Sequence, residues 1–526
     1  MSAWWRDAVV YQIYPRSFAD TNADGIGDLR GITAHLDHLA WLGIDAIWLD
    51  PVMASPNTDW GYDVSDYCSI HPDLGSLEDF DDLVAEARTR GIRVLNDLVP
   101  NHTGDQHPWF ADARSGRQAR HRDWYVWADP APDGGPPNNW ISSFGGDAWT
   151  FDEAGGQYYL HLFLPTQPDL DWWNPSVADA FDDILRFWFD RGVAGFRIDV
   201  CHAIVKDREL RDNPPATEDD PPAVRFFGQR HVYSSNRPEV HDVLRRWRSI
   251  ARTYQPERVL LGEAYVWDLD ALSAFYGTQD DELQLAFNIP FVFSRLNTER
   301  MSGIVDSVEA GFAEHAWPCW TGSNHDAGRL ASRWCGGDER KIRCALMMLL
   351  TMRGTPVLYY GDEIGLTDVD VPKERILDPV GVRFYPAYPG RDPGRTPMHW
   401  SAEPGAGFTE AAVEPWLPLG DHRRVNVEEQ RADTRSVLHL CRDLIALRRS
   451  TPALTSGGYR RLSSPANTWL YERGEGCVVA LNLGEEPVEL SGLRGVVALS
   501  TDRDRDGQEL SVGPSLGPWE GVVVGF

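Results

Sequence analysis

Acidic, histidine and arginine residues recur in short, separated contexts along this 526-residue chain. Asp97, Asn101 and His102 stand in DLVPNH (97–102), Arg197 and Asp199 in GFRIDVCH (195–202), Glu263 in GEAY (262–265), and His325 with Asp326 in SNHD (323–326). Tyr62 and Asp63 stand in WGYDVSDY (60–67). Carboxylates beside an arginine suit cleavage of a glycosidic bond. One ionised carboxylate attacks the anomeric carbon, and a carboxylic acid protonates the departing oxygen. Asp199 lies two residues after Arg197, so both side chains leave a strand on the same side, where the guanidinium favours the ionised carboxylate. Glu263 follows VLLG and precedes Ala264 and Tyr265, apolar surroundings that favour the protonated acid. No G-x-S-x-G elbow, phosphate-binding loop or Cys/His pattern offers a competing chemistry.

Such residues must be brought together by the elements that carry them. Apolar, β-branched runs at 9–18, 44–51, 92–102, 193–200, 258–265, 283–290, 319–326 and 355–363 read as strands. Helical stretches lie between them, among them 35–43, 77–91, 177–192 and 240–254. Strand–helix alternation means a parallel sheet covered by helices. Eight strands over this length predict an α/β fold, a (β/α)8 TIM barrel built from residues 1–102 and 169–455. Residues 103–168 are rich in Trp, Pro, Gly and Asp without a clear period, and read as an insertion after strand three. From 456 the short runs TWLYERG, CVVALNL and VVVGF predict a closing antiparallel β-domain over 456–526. In a barrel the reactive residues gather at the C-terminal strand ends, where the residues named above fall. Asp97 reads as a residue that holds its strand end, and His202 as either a structural histidine or a site residue.

The four segments DLVPNH, GFRIDVCH, GEAY and SNHD resemble, in order, the signature regions of the α-amylase family, glycoside hydrolase family 13. GIGDLRGI (25–32), QPDLDW (167–172) and GTPVLYYGDEIG (354–365) extend the resemblance over roughly residues 4–450. QPDLDW and RTPMHW (395–400) resemble its oligo-1,6-glucosidase and α-glucosidase branch. The resemblance implies Asp199 as nucleophile, Glu263 as general acid/base, and Asp326 as the carboxylate that binds sugar hydroxyls and helps distort the ring. It implies that His102 and His325 bond the sugar, that Arg197 orients Asp199, and that Tyr62 stacks on the ring. Asp63 and Arg395 resemble the pair that closes the pocket in exo-acting members. Gln167 and Arg329 join the substrate-binding set, and residues 103–168 would be domain B, where Phe144, His161 and Phe163 either line the pocket or pack. Asp171 departs from the commoner QPDLN.

The implied activity is that of an exo-acting retaining α-glucosidase on short α-glucosides. In this branch Val after the nucleophile accompanies α-1,6 and Thr α-1,4 activity. Here it is Val200, but CHAIVKD departs from the usual oligo-1,6-glucosidase segment, and maltose-type bonds are favoured over isomaltose. The alternatives are a glucosyl transferase or isomerase of the trehalose-synthase kind, a sucrose-directed enzyme and, from another class, a non-catalytic transporter-associated protein. The last typically loses the catalytic residues, which are all present here.

DTNADGIGD (20–28) places Asp20, Asn22, Asp24, the Ile26 carbonyl and Asp28 in the order of an EF-hand loop, with Gly31 where the closing Glu would stand. Related glucosidases bind calcium at a similar loop, so structural Ca2+ is expected, against a plain Asx turn. The similar run at 501–509 reads as a solvated hairpin turn. Acidic residues outnumber basic ones by 79 to 50, a net charge of −29, which disfavours nucleic acid and anionic lipid as partners. Twenty-two Trp either fill a large core or stack on sugar rings. The seven scattered Cys form no disulfide framework. With no apolar stretch long enough to span a membrane, a reducing cytoplasm is the expected compartment. The sequence does not decide between monomer and dimer.

Overall fold

Residues 3–511 and 513–525 are described by a computed structural model. The apolar runs form eight strands: β1 (Val10–Ile13), β2 (Ala46–Leu49), β3 (Arg93–Leu98), β4 (Gly195–Ile198), β5 (Val259–Gly262), β6 (Leu285–Ala286), β7 (Cys319–Thr321) and β8 (Thr355–Tyr359). All neighbours pair in parallel, in the order β6-β5-β4-β3-β2-β1-β8-β7. A single parallel bridge, Phe287 to Cys319, joins the two ends and closes the barrel. Helices follow in turn: α1 (Leu36–Leu42), α2 (Leu77–Thr89), α3 (Pro175–Asp190), α4 (Val240–Ala251), α5 (Leu269–Ala274), α6 (Thr298–Gly311), α7 (Glu339–Thr351) and α8 (Val437–Ser450). Local signals set their ends. Ser76 and Asp79 form a capping box at the start of α2, and Asn174 caps α3 ahead of Pro175.

Strand alternation divides the core. Val10, Trp48, Leu95, Leu261 and Val357 fill the barrel interior, while Tyr11, Ile47, Val94, Phe196 and Leu260 join the cluster shared with the helices. Gly195 lies so close to β5 that a side-chain carbon there would run into the Val259 carbonyl. The strands are shorter than the apolar runs. Residues 99–102 and 322–326 leave the ladder, which frees His102, His325 and Asp326 to face the pocket, whereas Asp362–Ile364 turn into a 3-10 helix whose Asp362 and Glu363 accept from Ser323 and Tyr11 inside the fold.

Between β3 and β4 a three-stranded antiparallel sheet forms from Trp127–Ala128, Gln157–Leu160 and Trp149–Asp152, in that order. Bridges from His102 to Asp169 and from Tyr125 to Leu170 tie this segment to the barrel rim. After α8, a six-stranded antiparallel sheet spans Tyr459–Gly525. On one face Trp469, Tyr471, Val479 and Leu481 join the main core. Leu470, Val478, Ala480 and Val522, facing the other way, make a second core. The run at 501–509 is the turn between Gly495–Ser500 and Glu509–Leu510.

Two buried arginines fasten this end of the chain. Arg448 of α8 donates to the carbonyls of Leu350 (3.1 Å), Met352 (3.0 Å) and Gly354 (2.5 Å) beyond α7. Arg473 donates to Thr351 O, and to Leu454 O and Gly457 O at 3.0 Å each. Both cations thus satisfy carbonyls that α7 leaves open. Arg448→Met leaves those carbonyls buried and unpaired, and is expected to lower stability by about 2–4 kcal/mol; calorimetric unfolding of the full chain measures it, and an unchanged midpoint would refute the assignment.

Candidate active site

One guanidinium sits at the centre of the pocket floor. Arg197 is fully buried on β4. Its Nη1 donates to Asp199 Oδ1 (2.8 Å) and to both oxygens of Asp97 (3.0 and 3.1 Å). Its Nη2 forms an ion pair with Glu263 Oε1 at 2.8 Å. Glu263 Oε2 accepts from Val200 N at 3.2 Å. Val200 itself has φ 34°, a left-handed conformation that is strained for a β-branched residue. Burial raises all three carboxyls, with Arg197 opposing it in each case. Asp97 is pushed up to about 7, Asp199 well above the usual range, and Glu263 upward with a further contribution from Asp326. One cation among three buried carboxyls favours a proton retained within the cluster, which a general acid requires, while the Arg197 bond to Asp199 Oδ1 is the contact that favours an ionised Asp199 against burial.

A second group faces it from β7 and β8. Tyr62 OH lies 2.6 Å from His325 Nε2, and the two rings stack 5.2 Å apart. Asp326 accepts from Arg391 Nη1 (3.2 Å) and Arg395 Nη2 (3.1 Å). Burial opposes its ionisation, but the adjoining His325, followed by Arg391 and Arg395, outweighs burial and holds Asp326 below the usual carboxylate range. Burial pushes His102 down to about 3 and His325 well below its ordinary value, so both rings are neutral. His102 Nε2 lies 3.1 Å from Gln167 Nε2, and Gln167 donates to Asp59 Oδ2 at 3.1 Å. Phe163 packs 5.2 Å from the His102 ring and 5.4 Å from Phe144. The structure therefore gathers Asp199, Glu263, Asp326, Tyr62, His102, His325, Arg197, Arg395, Gln167, Phe144 and Phe163.

Three expected residues are placed elsewhere. Asp63 does not pair with Arg395. Its oxygens accept from Ser55 Oγ (2.6 Å), Thr58 N (2.7 Å) and Asp59 N (3.1 Å), which folds the loop after β2. The ion pair across the pocket is instead Asp59 with Arg391, at 2.6 Å, and Phe144 lies against that guanidinium at 4.9 Å. Arg329 stands behind the pocket, donating to Tyr360 O and packing on the rings of Tyr359 and Tyr360. His161 holds the inserted segment together, with Nε2 2.9 Å from Thr150 Oγ1 and Nδ1 3.1 Å from Phe163 O. His202 Nδ1 accepts from Tyr265 N at 3.2 Å, a contact that fits its structural reading. Asp97 binds Arg197 and Trp48 Nε1 (3.1 Å), as its strand-end role predicts. Sequence reasoning missed Asp59 and Arg391, each four residues before the residue it chose.

In the loop 20–28, Asp20 accepts from the amides of Asn22, Ala23 and Gly25, and Asp24 from Ile26 N. Asp28 accepts from Thr21 and caps the following helix through Gly31 N. Asn22 turns Nδ2 toward Asp24. These are Asx turns, and no three acidic, His or Cys side chains stand in metal-holding geometry among the described residues. All seven cysteines are free, six of them buried, and no helix among the described residues is long and apolar enough to cross a membrane. A groove of about 780 Å³ lies away from the pocket, between the inserted segment, Trp173 and Arg208, and none of the catalytic residues lines it.

The model of the alpha amylase catalytic domain matches residues 12–457, and that of a domain of unknown function, DUF3459, matches residues 455–523. The chain is 45% identical to a "Probable alpha-glucosidase" of Rhizobium meliloti (strain 1021), over 86% of this chain and 84% of that one. It is 37% identical to an "Oligo-1,6-glucosidase" of Heyndrickxia coagulans, over 93% of each. The crystal structure of the "alpha-glucosyl transfer enzyme, XgtA" superposes with a TM-score of 0.92 at 40% identity, covering all of both chains. With Asp199, Glu263 and Asp326 meeting on one barrel rim, the chain belongs to the α-amylase family of glycoside hydrolases, in its α-glucosidase and oligo-1,6-glucosidase branch.

Proposed function

We propose that the protein is an exo-acting retaining α-glucosidase that releases terminal α-linked glucose from short α-glucosides, with maltose-type bonds favoured and isomaltose next. The observation that carries this is the Asp59–Arg391 pair, which joins the loops after β2 and β8 across the pocket beside the catalytic group. A floor bounded in this way suits the end of a sugar chain and obstructs a chain passing through. Asp199 attacks the anomeric carbon while Glu263 protonates the leaving oxygen. Glu263 then takes a proton from water, which attacks the same carbon, breaks the ester to Asp199 and restores the α-configuration. Ionised Asp326 and neutral His102 and His325 hold the hydroxyls.

A second reading, glucosyl transfer to a hydroxyl other than water, is favoured by one observation. Phe293, Tyr385 and Tyr388, on loops after β6 and β8, expose 38%, 41% and 43% of their surface, an apolar rim that suits an organic acceptor. The structural relative XgtA is described as an α-glucosyl transfer enzyme.

A proton NMR time course on maltose tests both. Hydrolysis with retention yields α-glucose before mutarotation; early β-glucose refutes the retaining mechanism, and new glycosidic anomeric signals select transfer. Asp59→Ala opens the pocket, and is expected to raise KM for maltose at least about tenfold, the loss of roughly one charge-assisted contact; an unchanged KM would remove the exo argument.

Glu263 keeps its proton to higher pH than a free glutamate, because burial and Asp326 raise it. The alkaline limb of kcat/KM on maltose is therefore expected above the ordinary carboxylate range. In Glu263→Gln that limb should vanish on p-nitrophenyl α-glucoside, whose leaving group needs no proton. A limb retained in the variant would assign the acid elsewhere.

Calcium is proposed for the loop 20–28 on its donor chemistry. Asp20, Asn22, Asp24, Asp28 and the Ile26 carbonyl supply the oxygens a hard cation takes; each Asp24 oxygen accepts one donor and keeps a lone pair, whereas each oxygen of Asp20 and Asp28 already accepts two, so calcium would displace donors there. Calcium would fix the turn between β1 and the helix Leu29–Ala34. Millimolar Ca2+ should raise the unfolding midpoint of EDTA-treated protein, and Asp24→Ala should abolish the rise; identical midpoints with and without the ion would return the loop to a plain Asx turn.

A further inference from the structure

We propose that Gln12 and Asp50 fix the tautomer of His325, so that its proton resides on Nε2 and is donated toward the bound sugar. The inference rests on the glycoside-cleaving reading of the pocket.

Gln12 comes from the middle of β1 and Asp50 directly follows β2; both are buried. Gln12 Nε2 lies 2.8 and 3.0 Å from the two oxygens of Asp50, and 2.8 Å from His325 Nδ1. An amide nitrogen has two hydrogens. One reaches the Asp50 carboxylate and the other reaches Nδ1. Burial raises Asp50 well above the usual carboxylate range, but a carboxyl carries at most one hydrogen, so at least one of its two oxygens facing the amide accepts and requires the amide nitrogen there; Nδ1 itself lies 3.4 Å from Asp50 Oδ1, beyond its 2.8 Å approach to Gln12. Gln12 Oε1 has no partner, so the amide is held by its nitrogen alone. A ring nitrogen that accepts carries no hydrogen, which leaves the proton of the neutral imidazole on Nε2. That atom lies 3.3 Å from Asp326 Oδ2 and 2.6 Å from Tyr62 OH, which accepts its hydrogen and itself donates to Asp97 Oδ2 at 3.3 Å; a sugar hydroxyl would share that N–H or take it over. Arg395 Nε donates to the His325 carbonyl at 2.9 Å and fixes the backbone of the same residue. Gln12 and Asp50 are thus positioning residues. They touch no sugar, and they determine whether His325 meets a hydroxyl as donor or as acceptor.

Gln12→Glu reverses the polarity. A carboxylate accepts from Nδ1–H, and Nε2 becomes an acceptor. Asp50→Asn keeps an acceptor for Gln12 and should retain the native tautomer.

The test compares kcat/KM for p-nitrophenyl α-glucoside with that for its 2-deoxy and 3-deoxy analogues, in the wild type and both variants. The wild type should prefer the parent over the analogue lacking the bonded hydroxyl by at least about tenfold, the worth of one such bond. Gln12→Glu should bring that preference close to one, and Asp50→Asn should keep it within about threefold of the wild type. Equal losses on all three substrates would make Gln12 a structural residue and overturn the proposal. Nitrogen-15 NMR of the uniformly labelled wild type, with the His325 signals assigned through their loss in His325→Gln, reads the tautomer without relying on a variant's folding. A bare Nδ1 and a protonated Nε2 are expected, and the opposite pattern refutes the assignment. A wild type inactive on every glucoside would defeat the glucosidase reading and leave the NMR result standing.

Discussion

The site depends on one buried cation facing three carboxylates. Removed from water, Asp97, Asp199 and Glu263 would repel one another, and each would hold its proton. Arg197, bonded to Asp97 and Asp199 and in contact with Glu263, is the cation that makes this buried cluster tolerable. The geometry follows from the barrel. Asp97 ends β3, Arg197 lies within β4, and Glu263 follows β5, so three adjacent parallel strands bring their ends within reach of one guanidinium. Deleting the arginine would strand several buried charges at once.

The inserted segment is coupled to this floor by polar contacts. Lys206 donates to Asn101 Oδ1 at 2.6 Å, and Asn101 Nδ2 donates to Asp169 at 2.6 Å and lies 3.1 Å from His102 Nδ1. The same short network therefore anchors residues 103–168 and orients a ring of the sugar pocket. Gln167, from the end of that segment, reaches both His102 and Asp59.

Periodicity and strand-end position made the barrel, the order of its elements and the meeting of Asp199, Glu263 and Asp326 at one rim legible in the sequence. The surroundings of Asp199 and Glu263 were readable because strand alternation and local apolarity fix them within a few residues. The Asp59–Arg391 pair was not. Asp59 and Asp63 share one loop, as Arg391 and Arg395 share another, and nothing local says which carboxylate turns inward. The answer depends on Ser55, Thr58 and Asp59 amide and hydroxyl donors capturing Asp63, a matter of loop folding without a period. Arg329 was misplaced for a similar reason: its partner, the Tyr360 carbonyl, lies 31 residues away on another element. Gln12 and Asp50 gave no signal, because each becomes meaningful only opposite His325.

The barrel closes through its thinnest seam. β6 has two residues, and one bridge, Phe287 to Cys319, joins that side to β7. Few backbone hydrogen bonds join the two sides there, and side chains take over: Phe291 packs on Trp320 and Trp334, Tyr276 OH donates to the Trp317 carbonyl at 3.0 Å, and Trp334 Nε1 donates to the Ser294 carbonyl at 2.8 Å. Glu263 and Asp199 belong to the strands on one side, His325 and Asp326 to the strand on the other. A parting of the seam would separate Asp199 and Glu263 from His325 and Asp326, and it would also open the barrel-interior core, which Leu285, Phe287, Trp317 and Cys319 share across it. The two halves of the proposed site are therefore held in register by side-chain packing where the backbone ladder is thinnest.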